Sequence, residues 1–402
     1  MTTPAHRLGS MQVTLTDSGG APITGPVAVE QLSHDFGFGN IGFELVSHAN
    51  GEADDEKLAE AWLGVFNQAT LPFYWRDVEP HRGDIRTPRL AVAARWFAER
   101  GVRVKGHPLL WHTLAPAWLL DLNDAEVEAE IRARITRDAG GFAGLIDHWD
   151  VINEAVILPR FTAEHNAVTR LSETLGRVGM VRLAVDAARE ANPNVKLVLN
   201  DFLLTDEYAQ LISVLLDDGV RLDAIGLQTH MHQGFRGEDE LGAILEQFGR
   251  FGLPLQLTET TLVSGELMPA DIIDLNDYQV ERWVSTPEGE ARQASELERH
   301  YRTCVAHPLV ESITYWGLRD GDMWLGAPAG LLHPDNSPKP AYDALVGLVK
   351  GEWWVPPTTL VPSPDGVVTV SGWGGTYRMA SATGSAEIRV VAGESGRAAA
   401  TL

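Results

Sequence analysis

Residues 145–154, LIDHWDVINE, form an apolar run that ends on Asn153 and Glu154, an amide beside a carboxylic acid. A carboxyl group at the end of a buried strand loses solvation, which raises its pKa and favours the protonated form near neutral pH. Such a group can donate a proton in catalysis. Considered alone, the stretch has an alternative explanation, in which Glu154 caps the next helix or pairs with an arginine.

The same sequence pattern, an apolar strand followed by a loop and an amphipathic helix, recurs along residues 36–350. Helical spacing of apolar residues predicts helices between the strands, for example at 89–100, 124–138 and 175–191. Eight strands, each followed by a helix, are typical of a (β/α)8 TIM barrel. The predicted strands are 36–43, 69–75, 102–111, 146–154, 195–202, 223–231, 255–262 and 312–318.

A doubly wound open sheet is the competing α/β fold, and it should carry a glycine-rich phosphate-binding turn after the first strand. Gly37, Gly39 and Gly42 have a similar spacing, but they lie inside the predicted strand and no helix opens after them. We therefore reject this fold. No serine nucleophile elbow or Walker loop occurs either, and we predict no cofactor.

Both ends of the chain have a different pattern, with short alternating strands separated by glycine, serine and proline. We predict an N-terminal β-appendage at 1–35, a catalytic barrel at 36–352 and a small C-terminal β-tail at 353–402. The tail either packs against the N-terminal strands or forms a weak sugar-binding patch through Trp373 and Tyr377.

The composition favours an uncharged ligand. The 402 residues carry a formal net charge of −23, which disfavours nucleic acid and anionic membranes as partners. Cys304 is the single cysteine, so no internal disulfide is expected. The first ten residues contain no apolar run typical of a signal peptide, and we expect a cytoplasmic protein. The oligomeric state is left open.

Function in a TIM barrel lies at the carboxyl ends of the strands, where this sequence concentrates polar and aromatic side chains. Glu154 and Glu259 come from the fourth and seventh strands, roughly across the barrel from each other. Two carboxyl groups that flank one bond are what glycoside cleavage requires. Aromatic rings stack on sugar rings, and amides bond their hydroxyls. The other residues at these ends include His107, Trp111, Asn153, Asn200, Gln228, His230, Trp316 and Trp324.

A metal site is the alternative use of these strand ends, since the four histidines at 107, 112, 230 and 232 and Glu259 have suitable donor atoms. His107 and His112 are an odd number of residues apart, so on one strand they would face opposite ways. No helix carries a His-Glu-x-x-His pattern. We predict no metal.

Together these motifs resemble glycoside hydrolase family 10, the family of endo-β-1,4-xylanases. The resemblance implies a TIM barrel and a retaining double displacement, with Glu154 as general acid and base and Glu259 as nucleophile. Retention requires carboxyl groups ~5 to 5.5 Å apart. The motifs occur in family order: GHPLLWH at 106–112, WDVINE at 149–154, QTH at 228–230, TE at 258–259 and YWG at 315–317.

The resemblance also implies roles for the surrounding residues. Asn153 would hold the sugar 2-hydroxyl and the nucleophile, while Trp316 and Trp324 would form a platform for the sugar. His107, Trp111, Gln228 and His230 would surround the sugar on the non-reducing side of the cleaved bond. Asn200, Tyr74 and Trp75 complete the predicted substrate-binding set.

The sequence departs from the xylanase pattern on the second strand, ATLPFYW at 69–75. Trp75 and Glu79 match the family, but Tyr74 replaces a lysine and a Glu-Asn pair is absent. These groups would hold the next sugar outward. After the nucleophile, Thr260 and Thr261 replace a Leu-Asp pair, whose aspartate orients the histidine that corresponds to His230.

These departures leave several substrates open. We predict an endo-β-1,4-xylanase-like enzyme that acts on a β-linked oligosaccharide or glycoside. The alternative is an enzyme of the same mechanism that acts on small aryl or terpenoid-like β-glycosides or on other oligosaccharides. A non-catalytic sugar-binding barrel is a third hypothesis, and the presence of both Glu154 and Glu259 argues against it, because binding alone needs no acid paired with a nucleophile.

Overall fold

The computed structural model describes residues 4–402, which divide into two compact units, 38–341 and 4–37 with 342–402. The strands of the described chain are β1 Leu8–Thr16, β2 Val27–Gln31, β3 Gly37–Ile41, β4 Gln68–Pro72, β5 Arg103–His107, β6 His148–Asn153, β7 Lys196–Asp201, β8 Ala224–Met231, β9 Leu255–Leu262, β10 Val310–Tyr315, β11 Thr358–Leu360, β12 Val367–Trp373, β13 Gly375–Ala380, β14 Ser385–Val390 and β15 Ser395–Thr401. The helices are α1 Val46–Ala49, α2 Glu56–Leu63, α3 Trp75–Val78, α4 Pro88–Ala98, α5 Asp124–Gly141, α6 Ala167–Ala191, α7 Asp206–Asp217, α8 Glu238–Gly249, α9 Pro287–Ala306 and α10 Pro340–Val346, with a π-helical turn at Gly347–Glu352. No helix in this part of the chain is both long and apolar enough to cross a membrane.

The larger unit is a closed barrel of eight strands, in the order β10-β3-β4-β5-β6-β7-β8-β9. Successive strands from β3 to β10 pair in parallel, as strands joined by helical crossovers must. The predicted (β/α)8 barrel is confirmed. Because the strands are parallel, their carboxyl ends all meet at one mouth.

The third barrel strand is shorter than the sequence predicted. We expected a strand over 102–111, but β5 ends at His107. Pro108 has no backbone N–H, so it cannot continue the ladder, and a loop carries Trp111 and His112 instead. Arguments from strand alternation therefore do not apply to these two residues, including the expectation that His107 and His112 face opposite ways on one strand.

The helices form where capping and apolar spacing agree. Asn123 and Glu126 make a reciprocal capping box at the start of α5, whose face of Val127, Ile131 and Ile135 is buried. Helix α6 begins before the predicted residue 175. It breaks at Gly176, whose φ of +65° glycine adopts without a steric penalty, and the predicted helix 175–191 corresponds to the segment after this break.

The second unit contains two sheets built from both ends of the chain. One sheet has the order β12-β1-β15 and the other β11-β2-β13-β14. Strand β1 pairs antiparallel with β12 and parallel with β15. Side chains from both sheets share one core, so the unit is a β-sandwich in which the N-terminal and C-terminal strands are interleaved. Residues 342–352, which the sequence assigned to the barrel, group with this unit.

Tyr377 belongs to the core of the sandwich, and Trp373 packs against His34 and Trp353. Trp373 is 3% exposed and Tyr377 is 0% exposed, and the Tyr377 hydroxyl donates to the Trp373 carbonyl at 2.8 Å. Neither ring presents a face to a ligand, so the structure contradicts the sugar-binding alternative for the tail. Their role in the structure is packing.

Candidate active site

Two glutamates lie at the mouth of the barrel. Glu154 directly follows β6, and Glu259 lies near the carboxyl end of β9. Both side chains are largely removed from water, at 16% and 6% exposure. A buried pair of acids without lysine or arginine partners is costly for stability, which favours a functional explanation.

A chain of amides joins the two carboxyl groups. Asn200 Nδ2 donates to Glu259 Oε1 and to Asn153 Oδ1, both at 2.8 Å. Gln228 Nε2 donates to Asn153 Oδ1 at 3.1 Å and to Glu154 Oε1 at 3.4 Å. The amide that donates to the predicted nucleophile is thus that of Asn200, whereas Asn153 donates to Glu154 at 3.3 Å. The amides hold both acids in one rigid frame.

Glu154 is poised to carry a proton. Burial, together with the negative charge of Glu259, raises the pKa of Glu154 to about 8. The indole N–H of Trp111 donates to Glu154 Oε2 at 2.9 Å, which works against this rise by favouring the ionised form. At neutral pH the group is mostly protonated, as a general acid must be.

The backbone of Glu154 is held in an unusual conformation. Its φ is +59°, in the left-handed region that residues other than glycine seldom occupy. Its N–H donates to the Asn200 carbonyl at 2.8 Å, and Asp201 Oδ2 accepts from the Val156 N–H at 3.0 Å. Contacts on both sides therefore stabilise the strained residue, an arrangement that is common at active sites.

Glu259 has a histidine partner. His230 Nε2 lies 3.1 Å from Glu259 Oε2, and His230 Nδ1 lies 3.2 Å from the Thr261 hydroxyl. A carboxylate only accepts hydrogen bonds, so Nε2 donates to it. The Thr261 hydroxyl therefore orients His230 at the position where the family carries an aspartate.

A buried ion pair fixes His107. Asp150 lies 2.9 Å from the Lys105 ammonium group and 2.7 Å from His107 Nδ1. Burial, the largest effect, would raise the pKa of Asp150, but Lys105 and His107 together hold it below its ordinary value. The sequence reasoning missed Lys105 and Asp150 as supports of the site. Alternation, which puts Lys105 on the same side of β5 as His107, was a signal for Lys105.

Aromatic rings line the remaining walls. Tyr74 lies between Phe43, His107 and Trp111, with ring centroids 5.7 to 5.8 Å away. Burial raises the pKa of the Tyr74 phenol well above its ordinary value, and the charges of the two glutamates add to the rise. Phe43, which follows β3, was not predicted from the sequence.

The two predicted platform tryptophans are adjacent to His107 and His230. Trp316 packs against His107 at 5.1 Å and His230 at 6.3 Å between ring centroids. Trp324 lies 5.1 Å from His230 and remains 37% exposed. An exposed indole beside buried acids offers a stacking surface for a ring-shaped ligand.

Trp75 was predicted to bind the substrate, and His112 was considered as a metal ligand, but the structure gives both residues other surroundings. Trp75 is 3% exposed; its indole N–H donates to Glu79, and Arg134 lies over its ring. The structure therefore does not bring it together with the other predicted binding residues. His112, in contrast, lies 3.9 Å from Glu154 Oε2, and burial lowers its pKa to about 3, so it is a neutral neighbour of the acid.

The chemistry of the site follows from these groups. A protonated acid and a second carboxyl group share one frame of amides and aromatic rings, which is the equipment for cleaving a glycosidic bond. Among residues 4–402, no three histidine, cysteine, aspartate or glutamate side chains are grouped as a metal ion would require.

Comparison with known proteins gives consistent results. Endo-1,4-beta-xylanase 3 from Hypocrea jecorina is 27% identical over 285 residues, 69% of this chain and 73% of that protein. Anti-sigma-I factor RsgI6 from Acetivibrio thermocellus is 27% identical over 382 residues, 93% of this chain but 45% of that protein. The match to RsgI6 thus extends beyond the barrel.

Solved structures share the fold. Xylanase 10B from Thermotoga petrophila RKU-1, solved in complex with xylobiose, superposes with a TM-score of 0.65 at 22% identity, covering 79% of this chain and 95% of that one. The model of glycosyl hydrolase family 10 matches residues 38–348, most of the chain. This protein therefore belongs to glycosyl hydrolase family 10.

Proposed function

We propose that this glycoside hydrolase cleaves β-1,4-linked xylo-oligosaccharides with retention of configuration. The observation that supports it most directly is the arrangement of Glu154 and Glu259, joined by the amides of Asn153, Asn200 and Gln228. The similar xylanases named above support xylose as the sugar.

In the first step, a Glu259 oxygen attacks the anomeric carbon while the bond to the leaving oxygen breaks. Glu154 donates its proton to that oxygen, so the leaving group departs as a neutral alcohol. In the second step, Glu154 is a carboxylate and removes a proton from water. The water oxygen bonds to the anomeric carbon, and Glu259 is released.

The test is digestion of xylohexaose, with the anomeric form of the first products followed by proton NMR. Retention predicts that the β-anomer appears first and then mutarotates. An α-anomer as first product would refute the double displacement. Glu259→Ala should abolish turnover while ligand binding is largely kept, and unchanged turnover would refute the assignment of the nucleophile.

Smaller β-glycosides with aryl or terpenoid-like groups form the second candidate class. The observation that favours them is the aromatic wall of Phe43 and Tyr74, where polar sugar contacts are expected in a xylanase. Rates on xylohexaose and on nitrophenyl β-glycosides separate the two classes. Fast internal cleavage of xylohexaose would remove this second candidate.

A further inference from the structure

Exposed apolar side chains are concentrated at the catalytic mouth. Of the ten large apolar side chains exposed in residues 4–402, four lie in the segment 263–286, which we name the β9–α9 loop. Ile273 is 99% exposed, and Val280 and Val284 are more than 40% exposed. Soluble proteins seldom cluster such groups in water unless the surface binds something apolar.

Hydrogen bonds join the two ends of the β9–α9 loop. Gly265 and Ser285 form an antiparallel bridge at its base, where the Ser264 and Ser285 hydroxyls lie 2.8 Å apart. The Trp283 indole N–H donates to the Glu266 carbonyl at 2.8 Å. These bonds join the two ends of the loop and hold its base, which includes Val284, in place.

The β9–α9 loop contacts the segment that follows β8, the strand opposite β4 in the barrel. Gln233, just after β8, donates to the carbonyls of Pro269 and Ile272, both at 2.8 Å. In the order of the closed barrel, β8 is four strands away from β4 on either side. The family resemblance assigns the outer sugar on the non-reducing side to the loop after β4. The β9–α9 loop therefore lies across the mouth from the loop that the resemblance assigns to the outer sugar.

A series of rings connects this loop with the nucleophile. His230, which donates to the nucleophile, lies 5.1 Å from Trp324 between ring centroids. Trp324 lies 5.2 Å from His232, which lies 6.1 Å from Trp283, and Trp283 lies 4.9 Å from Tyr278. The apolar surface is thus continuous with the reacting centre.

The side chains of the loop indicate the chemistry of its ligand. Ile273, Val280 and Val284 are aliphatic and offer neither stacking faces nor partners for hydroxyl groups, which a sugar ring needs. Acidic residues in the same loop, such as Asp271 and Asp274, disfavour anions. An uncharged apolar group joined to the sugar fits this surface.

We propose that the β9–α9 loop binds the apolar aglycone of a β-glycoside whose sugar is held at Glu154 and Glu259. The proposal rests on the proposed function, since the sugar places its aglycone against the loop. It makes the aglycone, in addition to the sugar, a determinant of substrate choice.

The test compares kcat/KM for octyl β-xylobioside and methyl β-xylobioside, which have similarly poor leaving groups. The octyl compound is kept below its critical micelle concentration. Burial of two or three methylene groups predicts an octyl-to-methyl ratio of about tenfold or more. In a chain with both Ile273→Ser and Val280→Ser, this ratio should fall about fivefold, with the methyl compound changed by less than about twofold.

The matched control is a chain with Val214→Ser and Val361→Ser, two exposed valines outside the loop. It should keep the octyl-to-methyl ratio of the natural chain. A ratio near one in the natural chain, or an unchanged ratio in the loop variant, overturns the inference. If the loop variant loses turnover of xylohexaose but keeps the octyl-to-methyl ratio, the loop binds a sugar chain instead. This result also overturns the inference.

Two further outcomes separate this inference from the proposed function. Sedimentation velocity of the natural chain and the loop variant tests whether a second copy of the chain covers the loop. If the natural chain is a dimer that dissociates in the variant, while the octyl-to-methyl ratio is unchanged, the loop binds a second copy and the inference is overturned. If xylohexaose is not cleaved, the proposed substrate fails. The alkyl pair is then made on the sugar of the nitrophenyl β-glycoside that is cleaved fastest, and the same ratio tests the loop.

Discussion

Glu154 combines a strained backbone, a buried carboxyl group and a nearby negative charge. Each of these is unfavourable in a folded protein, and each has a use in acid catalysis. Its pKa of about 8 results from competing neighbours, so single substitutions should move it in opposite directions. Two predictions follow from these competing effects at the scale of the residue.

The first prediction concerns Trp111→Phe. The natural chain should lose kcat/KM on a poor leaving group as the pH rises through about 8, because the proton on Glu154 is lost. The Trp111 N–H stabilises the ionised form, so its removal should raise the pKa of Glu154 and move the basic limb to higher pH. The measurement is kcat/KM against pH. A limb that moves to lower pH would contradict the assignment of Glu154 as the acid.

The second prediction concerns Asp201→Asn. Burial raises the pKa of Asp201 to about 7, and the negative charge of its ionised form raises the pKa of Glu154. The amide keeps an acceptor for the Val156 N–H but carries no charge. The basic limb should therefore move to lower pH, opposite to its shift in Trp111→Phe. Asp206→Asn, on the exposed start of α7, is the control and should leave the profile unchanged.

The positions of Glu154 and Glu259 were predictable because strand ends in a barrel share one mouth, so strand count alone brings both residues to it. The supporting contacts were not predictable in the same way. Asp150 meets Lys105 and His107 across neighbouring strands, and this depends on the register between β5 and β6. Register is a property of the folded sheet, which local sequence patterns do not specify.

At the scale of the element, the ion pair of Lys105 and Asp150 links β5 to β6 in a fully buried setting. Lys105→Met would leave Asp150 without its cation and should lower the free energy of unfolding by about 3 to 5 kcal/mol. Denaturant unfolding measures this loss. Adding Asp150→Asn should recover part of it, because the uncompensated charge is then gone.

The control for this cycle is Lys196→Met, since Lys196 is exposed at the start of β7. It should change stability by less than about 0.5 kcal/mol. If Lys105→Met costs no more than this control, the buried pair contributes no net stability.

The ends of strands are harder to predict from sequence patterns than their positions along the chain. β9 has the predicted bounds, Leu255–Leu262, although most of its residues are polar. β5 is shorter than its apolar run, since leucines at 109 and 110 continue the hydrophobic pattern after Pro108 has ended the ladder. Apolar runs indicate burial, and a strand also needs backbone partners.

At the scale of the whole molecule, the sandwich depends on its last strand. Deletion of residues 394–402 removes β15 and with it the parallel partner of β1. It also removes Leu402 from the shared core. We expect a lower melting temperature for the sandwich and increased binding of a hydrophobic dye, because β1 gains a free edge and the core loses cover.

The control for this deletion is a chain with Ser395→Ala, which keeps β15 and removes only an exposed hydroxyl pair with Ser10. It should melt like the natural chain. A deletion that leaves melting and dye binding unchanged would contradict the role of β15. Sequence patterns predicted short strands in both termini but not β15 itself. They could not specify that β1 lies between β12 and β15, because short strands rich in small residues have many possible partners.

The interleaved sandwich has a consequence for synthesis on the ribosome. Strand β1 ends at Thr16, whereas β12 begins at Val367, so nearly the whole polypeptide is made before β1 can form a ladder with it. At ~5 to 20 residues per second, the nascent N-terminus waits on the order of twenty seconds to a minute without these partners. During that interval, chaperones or neighbouring nascent chains on the same messenger RNA can bind its unpaired backbone and the valines that are buried in the folded protein.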